Sequence, residues 1–139
     1  MPRKTDSNNP ADWVFFAEED IKGIDVLANA VTSYYLCQSK LAEALEKILK
    51  AEMIRLGWFL RKIHDLQNLL DELAARGSDL VAAAQPLVDS LAEAYFSDRY
   101  PGFDLEDPDW NQLKVRLRAV RSLLDTVKQR VEGSRGPPG

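Results

Sequence analysis

Apolar residues recur at three- and four-residue steps along most of the chain, and no stretch alternates apolar with polar between strand-type turns. The pattern therefore predicts an all-α protein. A first helix is expected from Asp12, a candidate N-cap after Pro10, with Trp13, Phe16, Ala17, Ile24, Leu27 and Val31 on one face. Gly23 weakens this helix without ending it. A second follows almost without a gap from Thr32 to Leu56, turning Tyr34, Leu41, Leu45, Ile48, Leu49 and Leu56 inward. On its polar side Glu43 with Lys47, and Glu46 with Lys50, have the spacing of solvated i,i+4 pairs. The third is expected from His64 to Arg76, with Leu66, Leu69, Leu70 and Leu73 inside and Gly77 as its stop. A fourth starts at a Ser78 or Asp79 cap and carries Leu80, Ala84, Leu87, Val88, Leu91 and Tyr95, with Pro86 predicting a kink or restart.

The period then breaks at "FSDRYPGFDLEDPDW", a loop marked by Pro101, Gly102 and Pro108. The last helix is expected to open with Asp107 as cap and Pro108 at its first position, burying Trp110, Leu113, Leu117, Val120, Leu124, Val127 and Val131. Short links between most of these segments imply an antiparallel up-and-down helical bundle of about five helices. It should span residues 12–132, between a flexible N-terminus of residues 1–11 and a disordered tail of residues 133–139.

With 139 residues, 45% of them hydrophobic, the chain has the size of one domain with its own core. Acidic residues outnumber basic ones, 22 to 18, which excludes a broadly cationic nucleic-acid binder and leaves any phosphate contact local. A lone Cys37 and a lone His64 exclude an internal disulfide framework and a Cys/His zinc site, so no metal is expected and a reducing cytoplasm fits. The polar N-terminus "MPRKTDSNNPADW", and the lack of any uncharged run of about 18 residues, predict a soluble protein that is neither exported nor in a membrane. No glycine-rich phosphate loop, nucleophile elbow, HExxH or Glu-x-x-His pair occurs, and no cofactor is expected.

Chemistry is concentrated around "RKIHDLQNLL", Arg61 to Leu70. At 100° per residue His64 points nearly opposite the stripe of Leu66, Leu69, Leu70 and Leu73, so it is not a core histidine if the helix has begun there. Two readings stand: His64-Asp65 as the cap region of the third helix, or His64 as a general acid/base or phosphate-contacting group with Arg61 and Lys62 supplying charge. Asp20 falls within the apolar stripe of the first helix and should find a lysine or arginine on a neighbouring helix. Arg116, Arg118 and Arg121, extended by Arg130 and Arg135, form either a solvated face or a contact for RNA or an acidic partner. Trp58 and Phe59, between the second and third helices, suit a core cap or a dimer contact.

Four segments in order resemble the HEPN (higher eukaryotes and prokaryotes nucleotide-binding) domain family. They are Ala17-x-x-Asp20-Ile21, then Glu46-Lys47 with Leu49-Lys50-Ala51, then His64-Asp65-Leu66 with Leu69-Leu70, and Arg99-Tyr100-Pro101, and the resemblance as a whole covers roughly Trp13 to Val131. The resemblance implies a dimeric helical bundle that associates with nucleotide or RNA, paired with a minimal nucleotidyltransferase in prokaryotic toxin-antitoxin systems. It also implies His64 and Arg61 as candidate catalytic residues of a metal-independent ribonuclease, and Lys47, Asp65, Arg99 and Tyr100 as candidate ligand contacts. The family's R-x4-6-H motif would require arginine at 57, 58 or 59, which are Gly57, Trp58 and Phe59; Arg55 is too far and Arg61 too close. The alternative is a non-catalytic helical dimerisation or adaptor protein.

Overall fold

The first helix starts on Asn9, whose side-chain oxygen accepts a hydrogen bond from the Ala11 N–H at 3.0 Å, with Pro10 where its missing N–H is no loss. In the computed structural model, which describes residues 7–58, 65–97 and 107–134, α1 is thus Pro10–Asn29 and begins ahead of Asp12. The other helices are α2 (Tyr34–Arg55), α3 (Leu66–Ala75), α4 (Val81–Ser97) and α5 (Trp110–Ser134), and no strand occurs among the described residues. Asp109, not Asp107, caps α5, its Oδ1 accepting from the Gln112 N–H at 3.0 Å. This leaves Pro108 ahead of the helix. Helix α4 runs unbroken through Pro86, an exposed position where water can take the carbonyl that the proline leaves without a donor.

Helix α2 is the axis of the bundle and packs on each of the other four described helices. That is why its burial is not a stripe: every residue from Ile48 to Ile54 is buried, charged ones included. The ion pairs Asp25–Arg121 and Glu18–Lys128 set α1 antiparallel to α5. The contacts Tyr34–Trp110 and Glu52–Arg130 set α2 parallel to α5. Helix α4 begins beside the C-terminal ends of α2 and α5, through Ser78–Glu52 and Asp79–Arg130, and packs back along both. The short α3 forms a hairpin with α4 in which the Gln67 and Gln85 side-chain amides pair at 2.9 Å.

Leu41, Leu45, Ile48, Leu49 and Met53 of α2 are fully buried against Ile24, Leu69, Leu70, Leu73, Leu91 and Leu113. Truncating one such side chain to alanine typically destabilises by about 2–5 kcal/mol, so this interface dominates the fold's stability. Trp58 completes the core just beyond α2.

Three helices end in the same turn. After α2, the Trp58 N–H donates to the Met53 carbonyl and the Gly57 N–H to that of Ile54; after α3, Ser78 and Gly77 do the same to Leu73 and Ala74. After α1, Thr32 and Val31 donate to Leu27 and Ala28. Each is a Schellman turn, which needs a left-handed residue just past the cap. Gly57 (φ 95°) and Gly77 (φ 74°) meet that need without strain, but the third turn places a β-branched side chain there, Val31 at φ 53°.

Candidate functional site

Helix α3 begins where the sequence places its chemistry. Asp65 is extended (φ −87°, ψ 119°) and its Oδ1 accepts from the Asn68 N–H at 3.1 Å, so it is the N-cap of α3 and His64 immediately precedes the cap. One of the orphan donors of α3 is thereby met and a carboxylate sits at the positive end of the helix dipole. Asp65 is solvent-exposed. His64, Arg61, Arg99 and Tyr100 lie outside the described residues, as do Phe59 and Arg135.

Lys47 sits on the seam between α1 and α2. Its Nζ meets Asp20 Oδ2 at 2.5 Å, so the carboxylate in the α1 apolar stripe has its cation on the neighbouring helix. Lys47 therefore does not form the i,i+4 pair with Glu43 that its spacing suggests; Glu43 pairs with Lys40 at 3.0 Å. Lys50 does pair with Glu46, at 3.4 Å, but the pair is not solvated: Lys50 is 3% exposed and its ammonium stands 5.2 Å from the centre of the Trp13 ring. Burial of that ammonium is offset by one carboxylate and one aromatic face.

A second charged cluster lies at the far end of α2. Glu52 is fully buried, and its two oxygens take Arg55 Nε at 2.6 Å, Arg130 Nη1 at 2.6 Å and the Ser78 hydroxyl at 3.3 Å. Arg130 also reaches Asp79 at 2.8 Å, and the hydrogen bonds to Asp79 and then Glu52 hold its guanidinium more firmly protonated than an ordinary arginine. Each described buried side-chain nitrogen and oxygen has a partner. The cluster ties α2, the α3–α4 turn and α5 together, and its charges are already matched, which leaves it nothing to offer a ligand.

Sequence reasoning missed Glu52, although the signal was present: it continues the spacing of Leu41, Leu45 and Ile48 into Leu56. The basic run on α5 is also resolved into parts. Arg121 pairs with Asp25 and Arg130 with Glu52 and Asp79. Arg116 and Arg118 form no ion pair among the described residues, and two positions apart on a helix they face different ways. Among the described residues no group of three His, Cys, Asp or Glu side chains could hold a metal ion, and no helix is long and apolar enough to cross a membrane.

A family model described as HEPN domain matches residues 11–130, from the first turn of α1 to the last turns of α5. No curated protein and no solved structure matches the chain.

Proposed function

The chain belongs to the HEPN domain family, and on that premise we propose that it is the nucleotide- or RNA-associated member of a prokaryotic nucleotidyltransferase/HEPN pair of toxin-antitoxin type. In this reading it works as a cytoplasmic homodimer. The observation that carries the reading is the family match across nearly the whole bundle, with the His64-Asp65-Leu66 motif opening α3 on an N-cap.

Lys47 and Asp65 serve the site by holding helices in place, since the ammonium of one and the carboxylate of the other are engaged within the chain. Direct contact with nucleotide or RNA falls to His64, Arg61, Arg99 and Tyr100. RNA cleavage without metal needs a proton-transfer group and a cation at the scissile phosphate; His64 supplies the first, and Arg61 or Arg99 the second.

One observation favours the non-catalytic alternative, a dimerisation or adaptor bundle. Two of the three positions where the ribonuclease motif would place arginine have structural duties: Gly57 provides a left-handed turn residue and Trp58 is core. Incubating the purified chain with a labelled single-stranded RNA in EDTA separates the readings. Cleavage by wild type that His64→Ala abolishes supports the ribonuclease; no cleavage leaves the adaptor, and equal cleavage by both overturns the catalytic assignment to His64. Light scattering on the same sample tests the dimer.

A further inference from the structure

The first half of α5, from Trp110 to Leu124, holds Lys114, Arg116, Arg118 and Arg121 and no carboxylate, in a chain whose acidic residues outnumber its basic ones. Lys114, Arg116 and Arg118 form no ion pair among the described residues, whereas every other described lysine and arginine except Arg76 meets a carboxylate. Unpaired positive charge is therefore gathered on one half of one helix.

At 100° per residue Lys114, Arg118 and Arg121 fall within about 60° of one another, on successive turns separated by rises of about 6 Å and about 4.5 Å. Lys114 and Arg118 are exposed, and the Arg121 side chain remains 41% exposed beside Asp25. The exposed Asn111 and Ser122 border this stripe on one side, and Asp125, in line with it, marks its end. Arg116 is half-buried and points to the opposite side of α5, so it takes no part. Like charges four residues apart destabilise a helix, so neither pairing nor helix stability accounts for Lys114 beside Arg118.

We infer that this face of α5 binds the phosphodiester backbone of single-stranded RNA. Lys114 and Arg118 each neutralise a phosphate, Arg121 stands next in line, and the Asn111 amide and Ser122 hydroxyl donate at the edge. A protein partner would need an apolar centre to its interface. Among the described residues Val115 is the one large aliphatic side chain exposed on α5, and it lies about 100° round the helix from Lys114, beside the stripe and not within it. Helix α3 packs on α2 and α4 but not on α5, so this face is separate from the helix that His64 precedes. The inference rests on the RNA association proposed above, but not on cleavage or on His64.

The test uses the full chain and the fluorescence anisotropy of labelled 2′-O-methyl oligouridylate and oligoadenylate of about 12 nucleotides, whose blocked 2′ hydroxyls keep the probes intact, over a series of salt concentrations. The double variant Lys114→Ala/Arg118→Ala should weaken both probes alike, by roughly tenfold at low salt, because backbone contacts do not read the base. It should also reduce the slope of log K against log salt by about 1.4, the value for two phosphates of a single strand. Arg76→Ala removes an unpaired exposed cation elsewhere and should leave affinity and slope unchanged. Alanine favours helix at the two exposed α5 positions, and circular dichroism confirms that the variants fold. RNA binding indifferent to the double variant, or weakened as much by Arg76→Ala, overturns the inference while the RNA association stands. No RNA binding by wild type overturns both. Binding of an oligoglutamate in place of RNA, lost in the double variant, overturns the inference in favour of an acidic protein.

Discussion

Glu52 of α2 and Arg130 of α5 meet at 2.6 Å with the carboxylate fully buried, and this contact joins the middle helix of the bundle to its last. The same carboxylate takes Arg55 and Ser78, so one buried charge organises the end of α2, the α3–α4 turn and the end of α5.

Removing Arg130 leaves Glu52 with a single cation in a closed site. Arg130→Ala is expected to lower unfolding free energy by roughly 2–3 kcal/mol, below the ~3–5 of a fully isolated buried charge because Arg55 remains. Glu52→Ala should be worse than Glu52→Gln, which keeps the volume and one acceptor. Urea unfolding followed by circular dichroism measures all three; changes under about 0.5 kcal/mol would mean that the pair is effectively solvated.

Much of this arrangement follows from helical period, and the exceptions have definite causes. Asp20 stood out as a carboxylate within an apolar stripe, and that alone required the partner found in Lys47. Lys50 misled because period describes one helix against one core, whereas α2 packs on four other helices and buries part of its polar side too. Val31 read as the end of the α1 stripe because β-branched residues seldom take left-handed turns; only the backbone reveals it as a turn residue. Asp65 as a cap was legible from its place before Leu66, since capping is local. Whether an arginine approaches His64 depends on how distant segments meet, and spacing along the chain does not encode that.

The three Schellman turns make a matched comparison. Val31→Gly should stabilise the fold by about 1 kcal/mol, the relief of left-handed strain exceeding the added flexibility of glycine. Gly57→Val and Gly77→Val should each destabilise by roughly 1–2 kcal/mol, although a Cβ at either site meets no neighbour, because the strain is in the backbone alone. Thermal melts of the three variants test this; a destabilising Val31→Gly would show that the valine side chain contributes to the fold itself.

Asp65 separates capping from chemistry. Asp65→Ala should cost about 1 kcal/mol of stability through loss of the N-cap, and Asp65→Asn or Asp65→Ser should restore most of it because either side chain can accept from the Asn68 N–H. If the protein cleaves RNA, these rescuing variants should also recover cleavage lost in Asp65→Ala, while His64→Ala is not rescued. Cleavage that stays lost in a stably folded Asp65→Asn would instead assign the carboxylate's charge a part in the reaction.

Cys37 gives the fold a pH dependence of known sign. Its thiol is fully buried in α2, and burial pushes its pKa above the ordinary thiol value of 9.0, since the thiolate would be stripped of water. The folded state therefore holds this proton to higher pH than the unfolded chain does. Its contribution is fully present below about pH 9 and is lost as pH rises from there through the folded pKa. Wild type should lose more stability than Cys37→Ala between neutral and strongly alkaline pH, whatever the two have in common at neutral pH. The native thiol should also react with iodoacetamide far more slowly than in urea, because the thiolate is the nucleophile and forms only when the site opens. Fast alkylation of the folded protein at neutral pH would show that α2 is open at Cys37, and would remove the basis for the alkaline loss.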